Sequence, residues 1–420
     1  MKILYLCPDL GIPVLGRKGA SVHVRELVRA FSRAGHSVVL ASPLLSKSPW
    51  EAPAELEVPV MALPLAPPAY ESVLAVKAFE ESVDAPSSLP GELRRILWNQ
   101  QAVVELKRRF EHHRPDVIYE RASLYATVGA VLAELLDVPL LVELNAPIAE
   151  EQATYRATGL GELAARAERW ALPRADAVLA VSEPLREYAA GLGVDAERIH
   201  VVMNGVDPTR FHPGAPDPEV AVRWGIDGDG AVLGFTGGLR PWHGVAALPE
   251  LLERLLQRHG DVRLVVAGDG PLRPELESQL RRRGLAERAV LTGSVPHDDV
   301  PALVRRFDVA LAPYERLDHP FYFSPLKLFE YMACAKPVVV AAVGQLPEIV
   351  EDGKAGLVYP PGDVDALTNA CDRLLSDADL RRRQGDEAAR LVREHYTWDH
   401  NAARVTELTR SLLSARAKSG

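Results

Sequence analysis

The 420-residue chain predicts an α/β fold built as two doubly wound, mostly parallel domains. Three observations carry that expectation. Short apolar, strand-like runs alternate with helix-period segments almost throughout. The alternation breaks at NGVDPTRFHPGAPDP (204–218), rich in Gly, Pro, Asn and Asp, and then restarts. In the second half, several strand-like runs end in glycines, which let a backbone approach a ligand closely.

The first half opens with KILYLC (2–7), a strand followed by a glycine-containing loop. In the next segment, ASVHVRELVRAFSRAGH, Val24, Leu27, Val28 and Phe31 repeat at helical spacing, and Gly35 marks the C-terminal cap. SVVLAS (37–42), DVIYE (116–120), PLLVEL (139–144), DAVLAVS (176–182) and IHVVM (199–203) read as further strands with helices between. The proline-rich stretch 43–92 reads as irregular, a surface excursion or a lid. LRRILWNQQAVVELKRRFEHHR (93–114) is amphipathic and basic; it reads as a sheet-covering helix, with membrane-surface contact as the alternative.

The second half repeats the pattern. AVLGFTGG (231–238), DVRLVVAG (261–268), AVLTG (289–293), DVALAPY (308–314) and KPVVVA (336–341) are strands. The last segment, from Thr397, is a helix with Ala402, Val405, Leu408 and Leu412 on one face. The expected divisions are 1–210, 211–395 and a returning helix at 396–420. Two such domains facing one another would hold a ligand in the cleft between them, at the carboxyl ends of the strands.

Composition narrows the function classes. The net charge is −9, which argues against a nucleic-acid binder but not against an anionic small ligand at a locally positive site. Three scattered cysteines give neither a disulfide framework nor a zinc spacing. MKILYLCPDL meets Pro8 and Asp9 too soon for a signal peptide, and no run of about 18 uncharged apolar residues suggests a membrane span. The expected location is the cytoplasm, at most touching the inner membrane face. Asp227-Gly-Asp229 reads as a glycine turn and Asp363-Val-Asp365 as a helix start, neither as a metal site. No glycine fingerprint of a nicotinamide site lies between a strand and a helix.

The stretch FSPLKLFEYMACAKPVVV (323–340) carries the most chemistry. Ser324 and Pro325 read as N-cap and first helical residue, and Leu326 follows. Lys327 then puts a cation at the helix end that attracts anions, which makes sense if a phosphate supplies the missing negative charge. Glu330, one turn on, is placed to accept hydrogen bonds from sugar hydroxyls. GFTGGLRPWHG (234–244) adds Gly237, Gly238, Arg240 and His243 at another strand end, where Arg offers a fork for phosphate oxygens. AGDGP (267–271) and TGSVP (292–296) end two more.

SPLKLFEYMACAKPVVV with GQLPEIVEDGKAGLVYPPGD (344–363) resembles the donor-binding domain of glycosyltransferase family 4. AVSEPLREYAAGLGVDAERIHVVMNGVDPTRFHPG (180–214), GGLRPWHGV (237–245), LVVAGDGPL (264–272) and GASVHVRELVRAFSRAGHSVVLAS (19–42) extend the resemblance over nearly the whole chain. It implies a GT-B fold of two Rossmann-like domains and retaining, metal-independent transfer of a hexosyl-type sugar. The donor would be a nucleotide-sugar, UDP ranked before GDP. The acceptor would be a glycan, a lipid-linked or a small-molecule hydroxyl. No cofactor is implied, and the oligomeric state stays open.

The resemblance also implies residue roles. Gly19, in the loop after the first strand, lies near the diphosphate, which Arg240 and Lys327 hold. Glu330 binds the ribose, and the backbone at Ser294 and Val295 holds the base. Gly237, Gly238, Gly268 and the helix start Ser324-Pro325-Leu326 belong to the same donor site. His23 is a candidate contact to sugar or diphosphate. Glu143 and Asn145, in ELNAP (143–147), stand where many relatives carry a catalytic-region His and are candidates for the catalytic region with Arg240 and Lys327. The sequence departs from the family pattern at Tyr322, where the first of two glutamates usually lies by the donor sugar, with Asp318 or His319 as stand-ins. It departs again at His243 in place of Lys, and at Gly238 in place of Arg. If His243 met phosphate, binding would weaken as it lost its proton. The alternatives are a catalytically degenerate sugar- or nucleotide-binding protein and an epimerase on the same scaffold.

Overall fold

The computed structural model describes residues 1–16, 18–47, 55–155, 158–226 and 230–419. The pair Asp227 and Asp229 lies outside them. The chain divides into two units. The first comprises Met1–Asn204, Tyr322–Ser324 and Trp398–Gly420, and the second Gly205–Phe321 and Pro325–Thr397. The first division falls six residues before the expected 210, and Tyr322–Ser324 joins the first unit. Tyr322 and Ser324 hydrogen-bond to Ser182 and Asn204, both in the first unit.

The first unit holds a seven-stranded sheet of β1 (Lys2–Leu6), β2 (Ser37–Ser42), β3 (Val60–Ala62), β4 (Val117–Arg121), β5 (Leu140–Leu144), β6 (Ala177–Ala180) and β7 (Ile199–Val201). The order is β3-β2-β1-β4-β5-β6-β7, with every pairing parallel. The central strands are buried on both faces, which is why they read as continuous apolar runs. Register sets the chemistry at the strand ends: Tyr5 faces Tyr119, and Arg121 faces Glu143.

The helix Leu89–Phe110 covers this sheet, burying Trp98, Ala102 and Leu106. Its Trp98 indole donates to Leu63 O at 2.7 Å. Asn99 Oδ1 accepts from the N–H groups of Thr127 and Val128, capping the helix Val128–Leu136. The apolar face of the basic helix is thus spent on the core. Stretch 43–92 is not simply irregular. It contains β3 and the helix Pro67–Ser82, opened by two prolines whose missing N–H groups cost nothing in a first turn. The final helix, Trp398–Ser419, packs on the helix Gly19–Arg33 through an Arg33–Asp399 ion pair at 2.7 Å and buried Ala402 and Val405. No helix among the described residues is long and apolar enough to cross a membrane.

The second unit repeats the design with β8 (Ala231–Thr236), β9 (Val262–Ala267), β10 (Ala289–Gly293), β11 (Val309–Ala312), β12 (Val338–Ala341) and β13 (Gly356–Tyr359). The order is β10-β9-β8-β11-β12-β13, again all parallel. Each sheet has one point where the strand order reverses, between β1 and β4 and between β8 and β11. Doubly wound sheets bind ligands there, outside the carboxyl ends. The core admits no side chain at Gly234, where a Cβ would stand 2.1 Å from the Phe307 ring. Gly234→Ala is therefore expected to cost about 1–3 kcal/mol of stability through overpacking. A lower urea midpoint would show this, and an unchanged midpoint would mean that the ring has room to move.

Candidate active site

The second unit gathers its chemistry at the β8/β11 switch point. Lys327 is the second residue of the helix Leu326–Ala333, which follows β11. Its side chain does not reach solvent; the residue is 8% exposed. The Nζ lies 4.0 Å from the Phe235 ring centre and 5.2 Å from that of Tyr314, and among the described residues it has no hydrogen-bond partner. Burial pushes its pKa down to about 7, against the smaller upward pull of Glu330. Gly237 makes the room: its φ is +130°, and a Cβ there would stand 2.9 Å from Nζ. Gly268, at the end of β9, bridges to Gly293 at the end of β10, so the three glycine-bearing strand ends lie side by side.

The start of this helix differs from the expectation. Pro325, not Ser324, occupies the cap position, and no side chain caps the helix. Ser324 Oγ instead accepts the Asn204 N–H at 2.9 Å, while Asn204 Nδ2 donates to Ser324 O at 2.6 Å. The helix end is left without the side-chain acceptor that usually quiets it.

Glu330 lies one turn on and is half-buried. Its Oε1 accepts from His297 Nε2 at 3.1 Å. His297 sits just past Ser294 and Val295 in the loop after β10; Ser294 is exposed and Val295 half-buried. Arg240 is exposed, its guanidinium 6.0 Å from the Trp242 ring. His243 does not carry a titrating charge. Burial, then Lys327 and Arg240, push its pKa down to about 3, against the hydrogen bond to Gly238 O. Because a carbonyl only accepts, Nδ1 carries the proton and Nε2 presents a lone pair. The expected weakening with rising pH therefore cannot come from His243.

In the first unit, Glu143 is the centre of a buried network. Its carboxylate accepts from His23 Nε2 at 2.9 Å, Tyr119 OH at 2.6 Å, Arg121 at 2.5 Å and Asn145 Nδ2 at 2.5 Å. Burial alone would raise its pKa. The charges of His23 and Arg121 and the hydrogen bonds outweigh that and hold it well below the usual range. Burial itself lowers the His23 pKa, so Arg121 is the cation that persists at neutral pH. A carboxylate so fully satisfied is no proton acceptor, which removes Glu143 from the direct chemistry.

His23 is likewise withdrawn from ligand contact. It is buried beneath Trp398, ring centres 4.7 Å apart. Gly19 is not in the loop but opens the helix Gly19–Arg33. Asn145 is half-buried and spends its amide on Glu143. Tyr322 lies in the core of the first unit, 5% exposed, with its carbonyl accepting from Ser182 Oγ at 2.9 Å. Its ring is therefore not presented to a ligand. Among the residues passed over from sequence are Tyr119, Phe235, Tyr314 and His297. His297 follows the quoted TGSVP directly, which was the available signal.

A model described as Glycosyltransferase Family 4 matches residues 17–210, and one described as Glycosyl transferases group 1 matches residues 230–377. Alpha-D-kanosaminyltransferase of Streptomyces kanamyceticus is 30% identical over 275 residues, covering 64% of this chain and 69% of that protein. Alpha-maltose-1-phosphate synthase of Mycolicibacterium smegmatis is 31% identical over 320 residues, covering 70% and 79%. The chain belongs to glycosyltransferase family 4. Sucrose-phosphate synthase from Thermosynechococcus elongatus shares the GT-B fold, with a TM-score of 0.72 at 19% identity over 99% of this chain and 100% of that one. In this glycosyltransferase, then, Tyr322, where the resemblance implies a glutamate, is buried.

Glu143→Gln is expected to destabilise the glycosyltransferase by roughly 3–5 kcal/mol, the usual result of leaving one member of a buried ion pair alone. The folded pKa of Glu143 lies below its unfolded value of about 4.3, so its stabilisation is complete above that pH and is lost on acidification. Urea midpoints of the two proteins should therefore differ most at pH 7 and converge below pH 4. Parallel curves would contradict the buried-anion assignment.

Proposed function

We propose that the protein transfers a hexosyl-type sugar from a nucleotide-sugar to a hydroxyl acceptor, with retention of anomeric configuration and without a metal ion. The observation that carries this is Lys327: a buried, partnerless amine at an uncapped helix N-terminus, on the switch point of a doubly wound sheet. A diphosphate supplies the missing charge. Arg240 closes on it from the exposed side, the Gly237–Gly238 backbone approaches it, Glu330 takes the ribose, and the backbone at Ser294 and Val295 takes the base. In the transfer, the C1–O bond to the β-phosphate breaks and a C1–O bond to the acceptor forms on the same face. The acceptor proton goes to the departing phosphate oxygen, a step that asks nothing of Glu143. The acceptor class, whether glycan, lipid-linked or small molecule, belongs to the loops of the first unit.

Tyr322 favours a second reading, a protein that binds a nucleotide-sugar without transferring it, since its buried ring leaves the donor sugar without the usual carboxylate. A thermal-shift screen with UDP, GDP, ADP and TDP and their sugar conjugates tests binding by mass action. A selective rise in Tm with one nucleotide family is expected, and no rise with any would overturn both readings. Donor turnover, with the product anomer read by NMR and activity retained in a chelator, separates transfer from binding. Inversion, or a loss restored by added metal, would correct the mechanism.

Binding should also take up a proton. Free Lys327 is largely neutral at pH 8, its pKa being about 7. A bound diphosphate favours the ammonium and raises that value. Affinity should thus fall as pH rises above about 7. At pH 8 the phosphate itself has finished ionising. Calorimetry there, in two buffers of different ionisation enthalpy, should show uptake in the wild type and none in Lys327→Met. Equal observed heats for the wild type in the two buffers would sever Lys327 from the phosphate.

A further inference from the structure

The partner of Glu330 has no assigned role, and its surroundings are built with some care. His297 lies in the turn between β10 and the helix Val300–Arg305. The Asp299 N–H closes that turn on Pro296 O at 2.9 Å, and the Val300 N–H closes on His297 O at 3.3 Å. Phe211, itself 2% exposed, packs against the imidazole with ring centres 5.5 Å apart. The neighbouring Arg210 pairs with Asp298 at 2.6 Å, and Arg223 pairs with Asp299 at 3.1 Å. The imidazole is held by its backbone and by one face, so its Nε2 has one orientation, toward Glu330 Oε1.

That bond has a consequence for the carboxylate. An ionised carboxylate has two oxygens and about four lone-pair sites. His297 fixes Oε1, and no other hydrogen bond reaches this carboxylate among the described residues. The plane of the group is therefore set before any ligand arrives, with Oε2 and the second lone pair of Oε1 left over. Two acceptor sites at a fixed spacing match two vicinal hydroxyls. A sugar with only one of them leaves a half-buried acceptor unsatisfied, and a site built around polar partners discriminates most strongly against the ligand that lacks one.

We propose that His297 is a positioning residue that holds Glu330 in register for a vicinal diol, making the donor site selective for ribonucleoside over 2′-deoxyribonucleoside diphosphates. This rests on the assignment of Glu330 to the ribose. The test measures dissociation constants for UDP and 2′-deoxy-UDP, and for GDP and its 2′-deoxy form. It uses the wild type and the variants His297→Phe, His297→Gln and Glu330→Gln, with unfolding curves to confirm the fold. Phe preserves packing on Phe211 but cannot donate, whereas Gln can. The wild type is expected to prefer the ribo form by about tenfold or more, the loss of a hydrogen bond to a charged group. His297→Phe should cut that preference to about twofold or less, mainly by weakening the ribo form, and His297→Gln should restore part of it. If His297→Phe keeps the wild-type ratio while Glu330→Gln abolishes it, Glu330 reads the ribose but His297 does not position it. If His297→Phe weakens both forms equally, the histidine only supports the loop, and the proposal fails. If wild type and Glu330→Gln both bind the two forms alike, the ribose assignment itself falls and takes the proposal with it.

Discussion

Parallel pairing is the constraint on which everything else here depends. Two consecutive strands can pair in parallel only if a crossover separates them, so the thirteen strands among the described residues alternate with helices or long connections. It also sends every strand of a sheet out at the same edge. Functional side chains then have one place to converge, and the reversal of strand order opens a gap there. Lys327 stands at that gap in the second sheet. Arg121 and Glu143 stand beside the corresponding gap in the first, one at the end of β4 and one at the end of β5.

The two gaps treat buried charge in opposite ways. Glu143 is enclosed by four donors, one of them the permanent cation Arg121, so its charge is compensated within the fold. Such a group contributes stability and geometry, orienting Asn145, Tyr119 and His23 around it. Lys327 has two aromatic faces and no donor-acceptor partner. Its desolvation outweighs the smaller upward pull of Glu330, which is why its pKa falls to about 7. The first charge is balanced within the fold, and the second is the one on which the proposed function rests. Residue type alone would not separate them, because both are charged side chains near the ends of apolar strands.

This bears on what could be read from the sequence. The long strands were legible because burial on both faces leaves continuous apolar runs. β3 and β13 were missed, although β7 is as short and also lies at a sheet edge; β3 sits inside the proline-rich stretch 43–92, where no continuous apolar run marks it. The Lys327 site was legible because a cation in a first helical turn is locally wrong, and local wrongness is visible in one dimension. The Glu143 network was half legible. A carboxylate in an apolar strand announces a partner, but its partners come from residues 23, 119, 121 and 145, brought together only by sheet register. Ser324 misled for a related reason. Ser-Pro before a helix is a sound capping signal, yet the hydroxyl had a stronger tie to Asn204, 120 residues away in sequence.

His243 shows why a substitution has to be read through its surroundings. In place of a lysine, a histidine suggests a weaker cation that fails at high pH. Burial and the two cations Lys327 and Arg240 reverse that reading, because a third positive charge in the same apolar pocket is unfavourable. The hydrogen bond to Gly238 O then fixes the tautomer, since only a protonated Nδ1 can make it. What Nε2 carries is a lone pair, an acceptor where a lysine would be a donor. Such a group suits a sugar hydroxyl better than a phosphate oxygen. In the proposed donor site the positive charge for a diphosphate is thereby left to Lys327 and Arg240, one buried and one exposed.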